Sequence, residues 1–504
     1  MAILRILLLM VSVALAGIKP TANWSLSTDL VTQPGFRADM FSVDTADRYG
    51  GNWFGLRVPL ANGIAYEQLP GMLTLRFSAH LDSTIEIQSV LPIRRDLEAW
   101  YRDPQGGSIF STPNQVDINL PKEGWFQWNN ALGFLKCGRF KPDMGPSPNS
   151  VVLGSAPPSQ DAIWWHFDLG MPYFDWYISS LDPILMGTPS ANTGVAPEGS
   201  ETWNQSHLTV SNQRNRIYDE PSKMLALHRL GWDANWGWFA LIEQALIGGK
   251  TPTPRDFNPW IVWHDNFSDG YTKSSTTAEL GLKPGKHSKF YWQVDFEDIA
   301  SPVGEEGGQT APTTLGSLVG WRQDWRTDSV LSLWSRLDAV YTDPSFNNHR
   351  LPLQKMTVRR LYRSNYREQA DPYFVDSYVV DYPLGYKRGP DAVDLWLNIG
   401  IKSKKYHCGG EAEFAWLRQG DKELWTPWDT AAQFTSALSG VVEHEKRGSI
   451  SGWYTLYPHT DRNPWSMGLS SGFGLRQIRN ENHIEDNNRW DLVWSAGLTG
   501  SYAP

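Results

Sequence analysis

Two cysteines, Cys137 and Cys408, stand in 504 residues, too few for a disulfide framework. They read as unrelated thiols, with one bridge open to them only in an oxidising compartment. Long apolar runs are missing as well. Beyond Ala16 no stretch approaches the ~18–20 apolar residues that a membrane-spanning helix needs. Charge is sparse: 45 Lys+Arg face 54 Asp+Glu, a net charge of −9. That mild acidity argues against nucleic acid or an anionic membrane surface as partner. No zinc-protease signature, phosphate loop or nucleophile elbow occurs. His407, Cys408 and Glu411 imitate half of a metal site with no second half, so neither a metal nor another cofactor is expected.

The first residues are informative. Met1 to Arg5 carry one positive charge, Ile6 to Ala16 run apolar, and Ala14-Leu15-Ala16 ends the run as a cleavage site would. Residues 1–16 therefore read as a secretory signal peptide, with the mature chain starting near Gly17. An exported chain without a spanning helix is either soluble or a closed barrel.

What is abundant is aromatic residues and glycine: 26 Trp, 19 Tyr, 20 Phe and 44 Gly. From residue 71 onward, stretches of about ten residues alternate apolar with polar, each ending in a turn or loop. Leu73, Leu75, Phe77 and Ala79 interleave with Thr74, Arg76, Ser78 and His80. Leu395, Leu397, Ile399 and Ile401 face away from Asp394, Asn398 and Lys402. Trp490, Leu492, Trp494, Ala496, Leu498 and Tyr502 form the last apolar line. Period two means one apolar and one polar face per strand. The runs exceed the usual strand length, their polar faces hold Gly, Ser and charge, and Trp pairs (Trp260/Trp263, Trp321/Trp325, Trp425/Trp428) sit at their ends as interfacial girdles do. The prediction is all-β: a transmembrane antiparallel β-barrel of about 18 strands (16–20) over 71–504, preceded by a short, less regular periplasmic or plug-like segment at 17–70. Loops are expected at 183–202, 251–275, 299–313 and 342–372, where Pro, Gly, Asn and Asp concentrate.

Candidate site residues are few. Asp295, Glu297 and Asp298 make the densest acidic cluster. Asp295 and Glu297 share a strand face, as a glycosidase pair could, though lumen charges paired with Lys or Arg explain them better. His228 and Glu243 lie on the apolar-rich arms of a hairpin with its turn near Asp233-Ala234-Asn235. A lone charge there should point inward, so Glu243 is expected to pair with His228 or Arg229. Trp203 and Trp260, in loops, are the better candidates for stacking on sugar rings; Trp125, Trp128, Trp164 and Trp165 read mainly as girdle.

Four segments together resemble the Wzi-type capsule assembly proteins: GRFKPDMGPSPNSVVLGSAPPSQ from Gly138, ALHRLGWDANWGWFALIEQALIGGK, FNPWIVWHDNF and FYWQVDFEDI. Gly138, Arg139, Gly145, Pro146, Ser155, His228, Arg229, Glu243, Asn258, Pro259 and Asp298 fall in the family's order. Met144, Ser147 and Glu297 depart from it. DYPLGYKRGPDAVDLWLNIGIK extends the similarity, which covers most of 130–402. The resemblance implies an outer-membrane barrel of 18 strands whose extracellular loops close the lumen, and a lectin for capsular polysaccharide rather than an enzyme. Arg139, His228, Arg229, Glu243, Asp295, Glu297, Asp298, Trp203 and Trp260 are then candidates for lining the lumen or binding the polysaccharide. Outer-membrane lipid, lipopolysaccharide and the barrel-assembly machinery are the other expected partners; the ending Tyr502-Ala503-Pro504 departs from the terminal aromatic that this machinery favours. A porin or sugar-selective channel, and a secreted carbohydrate-active enzyme using Asp295 and Glu297, are the rival readings.

Overall fold

A computed structural model describes residues 23–32, 36–37, 56–57, 60–69, 71–81, 84–102, 115–117, 119, 122–142, 144–184, 222–260, 272–298, 314–327, 330–349, 352–363, 377–424, 437–458 and 465–502. The chain opens with β1 (Asn23–Thr32), β2 (Phe36–Arg37), β3 (Leu56–Arg57), β4 (Leu73–Leu81), β5 (Ile85–Ile93), β6 (Glu123–Asn130) and β7 (Gly133–Phe140). It continues with β8 (Gln160–Asp168), β9 (Pro172–Leu181), β10 (Lys223–Ala234), β11 (Gly237–Gly248), β12 (Thr272–Gly285), β13 (Ser288–Asp298) and β14 (Thr314–Thr327). The rest are β15 (Leu331–Thr342), β16 (Thr357–Arg363), β17 (Ser377–Pro383), β18 (Ala392–Ser403), β19 (Cys408–Gln419), β20 (Glu443–Tyr457), β21 (Trp465–Arg479) and β22 (Arg489–Tyr502).

All but β3, β16 and β17 join one antiparallel sheet in which each strand pairs with the next along the chain. β1 pairs with β22 on one side and β4 on the other, and β2 prolongs β1 along β22. Eighteen positions thus close on themselves, so among the described residues this sheet has no open edge. This moves the start of the barrel from residue 71 to residue 23. The physical reason is legible: Trp24, Leu26 and Leu30 alternate with Ser25, Ser27 and Asp29, and without β1 the edge of β22 would stay unpaired.

The surface is inverted relative to a water-soluble protein. Phe239 and Leu241, Phe290 and Trp292, Ile399 and Ile401, Phe414 and Trp416, and Phe473 and Leu475 lie exposed on the outside. Their strand neighbours Gln293, Asp295, Asp338 and Asp394 are buried in the lumen. Apolar outside with charge inside is the pattern that lipid demands of a barrel. Trp128, Trp165, Trp232, Trp321 and Trp325 gather on the outer wall toward one end, as an aromatic girdle does.

Connections alternate in length without exception. Two to seven residues separate β4 from β5, β6 from β7, β8 from β9, β10 from β11, β12 from β13, β14 from β15, β18 from β19 and β20 from β21, and these strand ends gather at one end of the barrel; nine or more residues separate the strands that are joined at the other end. The short-turn end is the periplasmic one in barrels of this build and the loop end faces outward. The 342–372 segment, read as loop, contains β16, which pairs with β17, itself parallel to β3. That small sheet brings the helix Leu60–Glu67 to the loop end, so residues 56–57 and 60–69 sit with the outer loops rather than at the turn end. Tyr66 is fully buried there: its hydroxyl donates to Asp117 (2.9 Å) and the Arg95 carbonyl (3.0 Å), and its ring lies 5.7 Å from Trp100.

Candidate functional site

The lumen is filled from the loop end. Val151, Val152 and Leu153 of one loop, and Phe346, Met356, Leu384 and Tyr386 of the longest, pack against inward Leu225, Leu227, Ile242, Leu246, Tyr291 and Leu318 of the wall. Two buried carboxylates anchor the first of these loops. Asp338 Oδ2 accepts from Ser147 Oγ (2.5 Å) and Asn149 Nδ2 (2.8 Å), while Oδ1 accepts from the Tyr291 hydroxyl (2.5 Å); Arg336 lies 3.4 Å away. Glu279 receives Arg229 (2.6 Å), Trp238 Nε1 (2.8 Å) and Gln293 Nε2 (2.8 Å), and Gln293 in turn accepts from Ser150 Oγ (2.9 Å). Arg229 also donates to the Met144 carbonyl at 3.2 Å. Asp394 plays the same part for the longest loop, accepting from the Tyr386 hydroxyl (2.6 Å) beside Arg388 (3.1 Å).

The sequence-predicted residues divide on this geometry. Arg229 is central to the loop anchor. Glu297 is buried with Lys273 (2.8 Å) and the Asn347 backbone N–H (2.9 Å), and Asp295 accepts from Thr277 (2.7 Å). Glu297 is thus ion-paired beneath the longest loop, whereas Asp295 meets the Thr277 hydroxyl and, among the described residues, no cation; both are buried rather than open to a sugar. The Asp298 backbone pairs with Thr314. Arg139 falls on the outer face, on the rows of Phe126 and Ile163, where it meets Asp161 at 2.5 Å. Trp203 lies outside the described residues. Trp260 stacks on outward Phe174 at 5.2 Å and 9°, so it covers the outside of the wall instead of the lumen. Cys137 and Cys408 are free.

His228 and Glu243 are direct cross-strand partners, 2.7 Å apart. The expectation that they point inward is overturned: they share the outward rows of Leu230 and Leu241 and are nonetheless buried. The chain after β11 returns to the outside of this sector, where Trp260 stacks on Phe174, and the pair is only 17% and 7% exposed. Glu243→Gln and His228→Gln should therefore couple by about 0.5–3 kcal/mol in a double-mutant cycle of unfolding. Glu243→Gln and Arg229→Gln, on opposite faces, should be additive; the reverse pattern would mean the faces are exchanged.

Below the anchored loops, toward the short turns, the lumen is lined by aromatic rings lying flat on glycines of the next strand. A β-carbon on Gly281 would come within 2.2 Å of the Trp238 ring, and one on Gly400 within 2.3 Å of Trp334. Only glycine lets a ring rest against the wall in this way. Tyr173 covers Gly231 and Trp453 covers Gly409 similarly. Each ring has a cation near it: Lys283 at Trp238 (5.7 Å), Arg322 and Arg336 at Trp334 (5.7 and 5.9 Å), Arg229 at Tyr173 (5.1 Å) and Lys402 at Trp453 (5.9 Å). Deeper in, Lys387 (3.5 Å) and Arg447 (4.7 Å) flank Trp396. Burial, with Arg447 close by, pushes the Lys387 ammonium down to about 7. Sequence reading missed these platforms and the anchoring acids Glu279, Asp338 and Asp394. Their signal was present: each acid occupies the polar side of an alternating strand, as in LWSRLDAV and VDLWLNI.

No protein-family model matches this chain, and no curated protein matches it. Solved structures do resemble it. Wzi, an outer-membrane protein involved in group 1 capsule assembly in Escherichia coli and described as a carbohydrate-binding β-barrel, is 14% identical. The alignment covers 98% of this chain and 87% of that one, with a TM-score of 0.48. A BenF-like porin from Pseudomonas fluorescens Pf-5 is 9% identical over 97% and 99%, TM-score 0.42. Acinetobacter baumannii OccAB3 is 9% identical over 96% and 100%, TM-score 0.41.

Proposed function

We propose that this protein is a non-enzymatic outer-membrane barrel that binds surface polysaccharide and assists its assembly or retention at the cell surface. The observation that carries this reading is the set of flat aromatic rings, each beside a cation, lining the turn-end half of the lumen beneath the anchored loops. Aromatic faces stack on the apolar faces of sugar rings. Lys402 at Trp453 and Lys387 at Trp396, which no carboxylate takes up among the described residues, favour carboxylate- or phosphate-bearing sugars. The burial of Asp295 and Glu297 speaks against glycan cleavage by that pair. The inserted loops favour holding a chain over letting solutes pass, which separates this reading from a porin.

Purified barrel in detergent should bind an acidic capsular polysaccharide and not neutral dextran. Trp334→Ala or Trp453→Ala should weaken binding by about three- to tenfold each. Affinity should fall as pH rises through about 7, where Lys387 loses its charge, and Lys387→Met should flatten that profile. A deletion strain should shed surface polysaccharide. Absence of binding together with steady ion conductance by the wild-type protein in planar bilayers would put the porin reading in its place.

A further inference from the structure

The outer face of β19–β22, on the far side of the wall from the lumen, carries an ordered set of rows at the loop end. Arg418, His444 and Arg479 stand directly opposite one another across three strands. One row lower come Trp416, Lys446, Gln477 and Trp490; below these lie Phe414, Leu475 and Leu492. Trp416, Trp490, Phe414, Leu475 and Leu492 are all exposed. Cations thus sit above an aromatic row, which sits above an apolar wall. This is the order of a lipid leaflet read from headgroup to acyl chain.

Arg418, Lys446 and Arg479 gather three positive charges around His444, a crowding that is costly unless an anion lies against it. Among the described residues no carboxylate pairs with Arg418, His444, Lys446 or Arg479. Arg418 stacks on Trp416 at 4.8 Å, and its Nε is buried without a hydrogen-bond partner. A cleft of about 510 Å³ opens beside the row, lined by His444, Arg479 and Trp490 with the amides of Gln477, Asn480 and Asn488; Asp486 is the one carboxylate in its lining.

We propose that this face is a binding site for lipopolysaccharide in the outer leaflet. The phosphorylated sugar headgroup takes the basic row, the cleft amides meet its hydroxyls, and the acyl chains lie along Phe414, Leu475 and Leu492. A simple anionic phospholipid would satisfy the charges but leave the amide-lined cleft unused. The site depends on the barrel and its orientation and is independent of the luminal polysaccharide reading, since none of its residues faces the lumen.

The test is titration of detergent-folded barrel with lipopolysaccharide, read by thermal shift and by native mass spectrometry. Parallel arms use dephosphorylated lipopolysaccharide, phosphatidylglycerol and inorganic phosphate. The proposal expects one retained lipopolysaccharide, weakened about a hundredfold when Arg418, Lys446 and Arg479 are all changed to Gln, with little binding in the other arms. Heat-modifiable migration checks folding; if the triple variant does not fold, the exposed Lys446→Gln alone should weaken binding about fivefold. Wild-type affinity in a folded variant would overturn the proposal. So would equal binding of phosphatidylglycerol, or saturation by inorganic phosphate alone.

Discussion

Replacing Asp338 with alanine should open the barrel without dissolving it. Asp338 is fully buried and takes two hydrogen bonds from the inserted loop, through Ser147 and Asn149, and one from Tyr291. Its removal frees the loop at that anchor and leaves Arg336 without its nearby counter-charge. Breaking such a buried arrangement from one side costs about 3–5 kcal/mol. The outward apolar pattern is untouched, so insertion and heat-modifiable migration should persist. Conductance in planar bilayers should rise, and the 141–159 loop should become sensitive to protease added at the loop end. Asp338→Asn, which keeps an acceptor, should do the same more weakly, at about 1–3 kcal/mol. Unchanged conductance and protease resistance in Asp338→Ala would show that the loop is held by other contacts.

Arginine at Ile450 should block insertion where arginine at Ser449 does not. Ile450 is the middle residue of the 15-residue β20 and is 63% exposed on the outer wall. Its cross-strand neighbours on that face are Ala412 and Phe473. A cation at mid-bilayer depth on the lipid face costs about 2–4 kcal/mol. Ser449, one residue away, faces the lumen opposite Glu413, where an added arginine meets water and a carboxylate. Yields of folded protein recovered from membranes should differ severalfold or more between the two variants. Equal yields would mean that the two faces have been exchanged.

The barrel was legible because lipid and lumen impose period two on every spanning strand. The runs at Met72–His80, Val393–Ile401 and Trp490–Tyr502 coincide with β4, β18 and β22 to within a residue or two. The hairpin turn fell at Asn235-Trp236, two residues beyond the expected start of the turn at Asp233. β1 escaped because one short alternation amid irregular sequence is weak until the ring needs a strand to close. That Glu243 pairs with His228 or Arg229 was legible from the hairpin; which of the two, and on which face, was not, because the pair is buried on the face where alternation alone predicts lipid. The inward acids were legible as polar-face residues, but the loops they anchor were not: Asp338 and Ser147 are 191 residues apart, and nothing local marks them as partners.

The lid at the loop end is stitched across greater distances still. Tyr362 donates to Glu67 over a separation of 295 residues, and β17 lies parallel to β3, so the cap draws on both the start and the later half of the chain. Contacts this remote meet their loop-closure entropy only after the intervening strands are in place. The cap should therefore settle after the hairpins of the wall, once β17 and the segment before residue 71 have met; until then the lumen would stand open across the membrane.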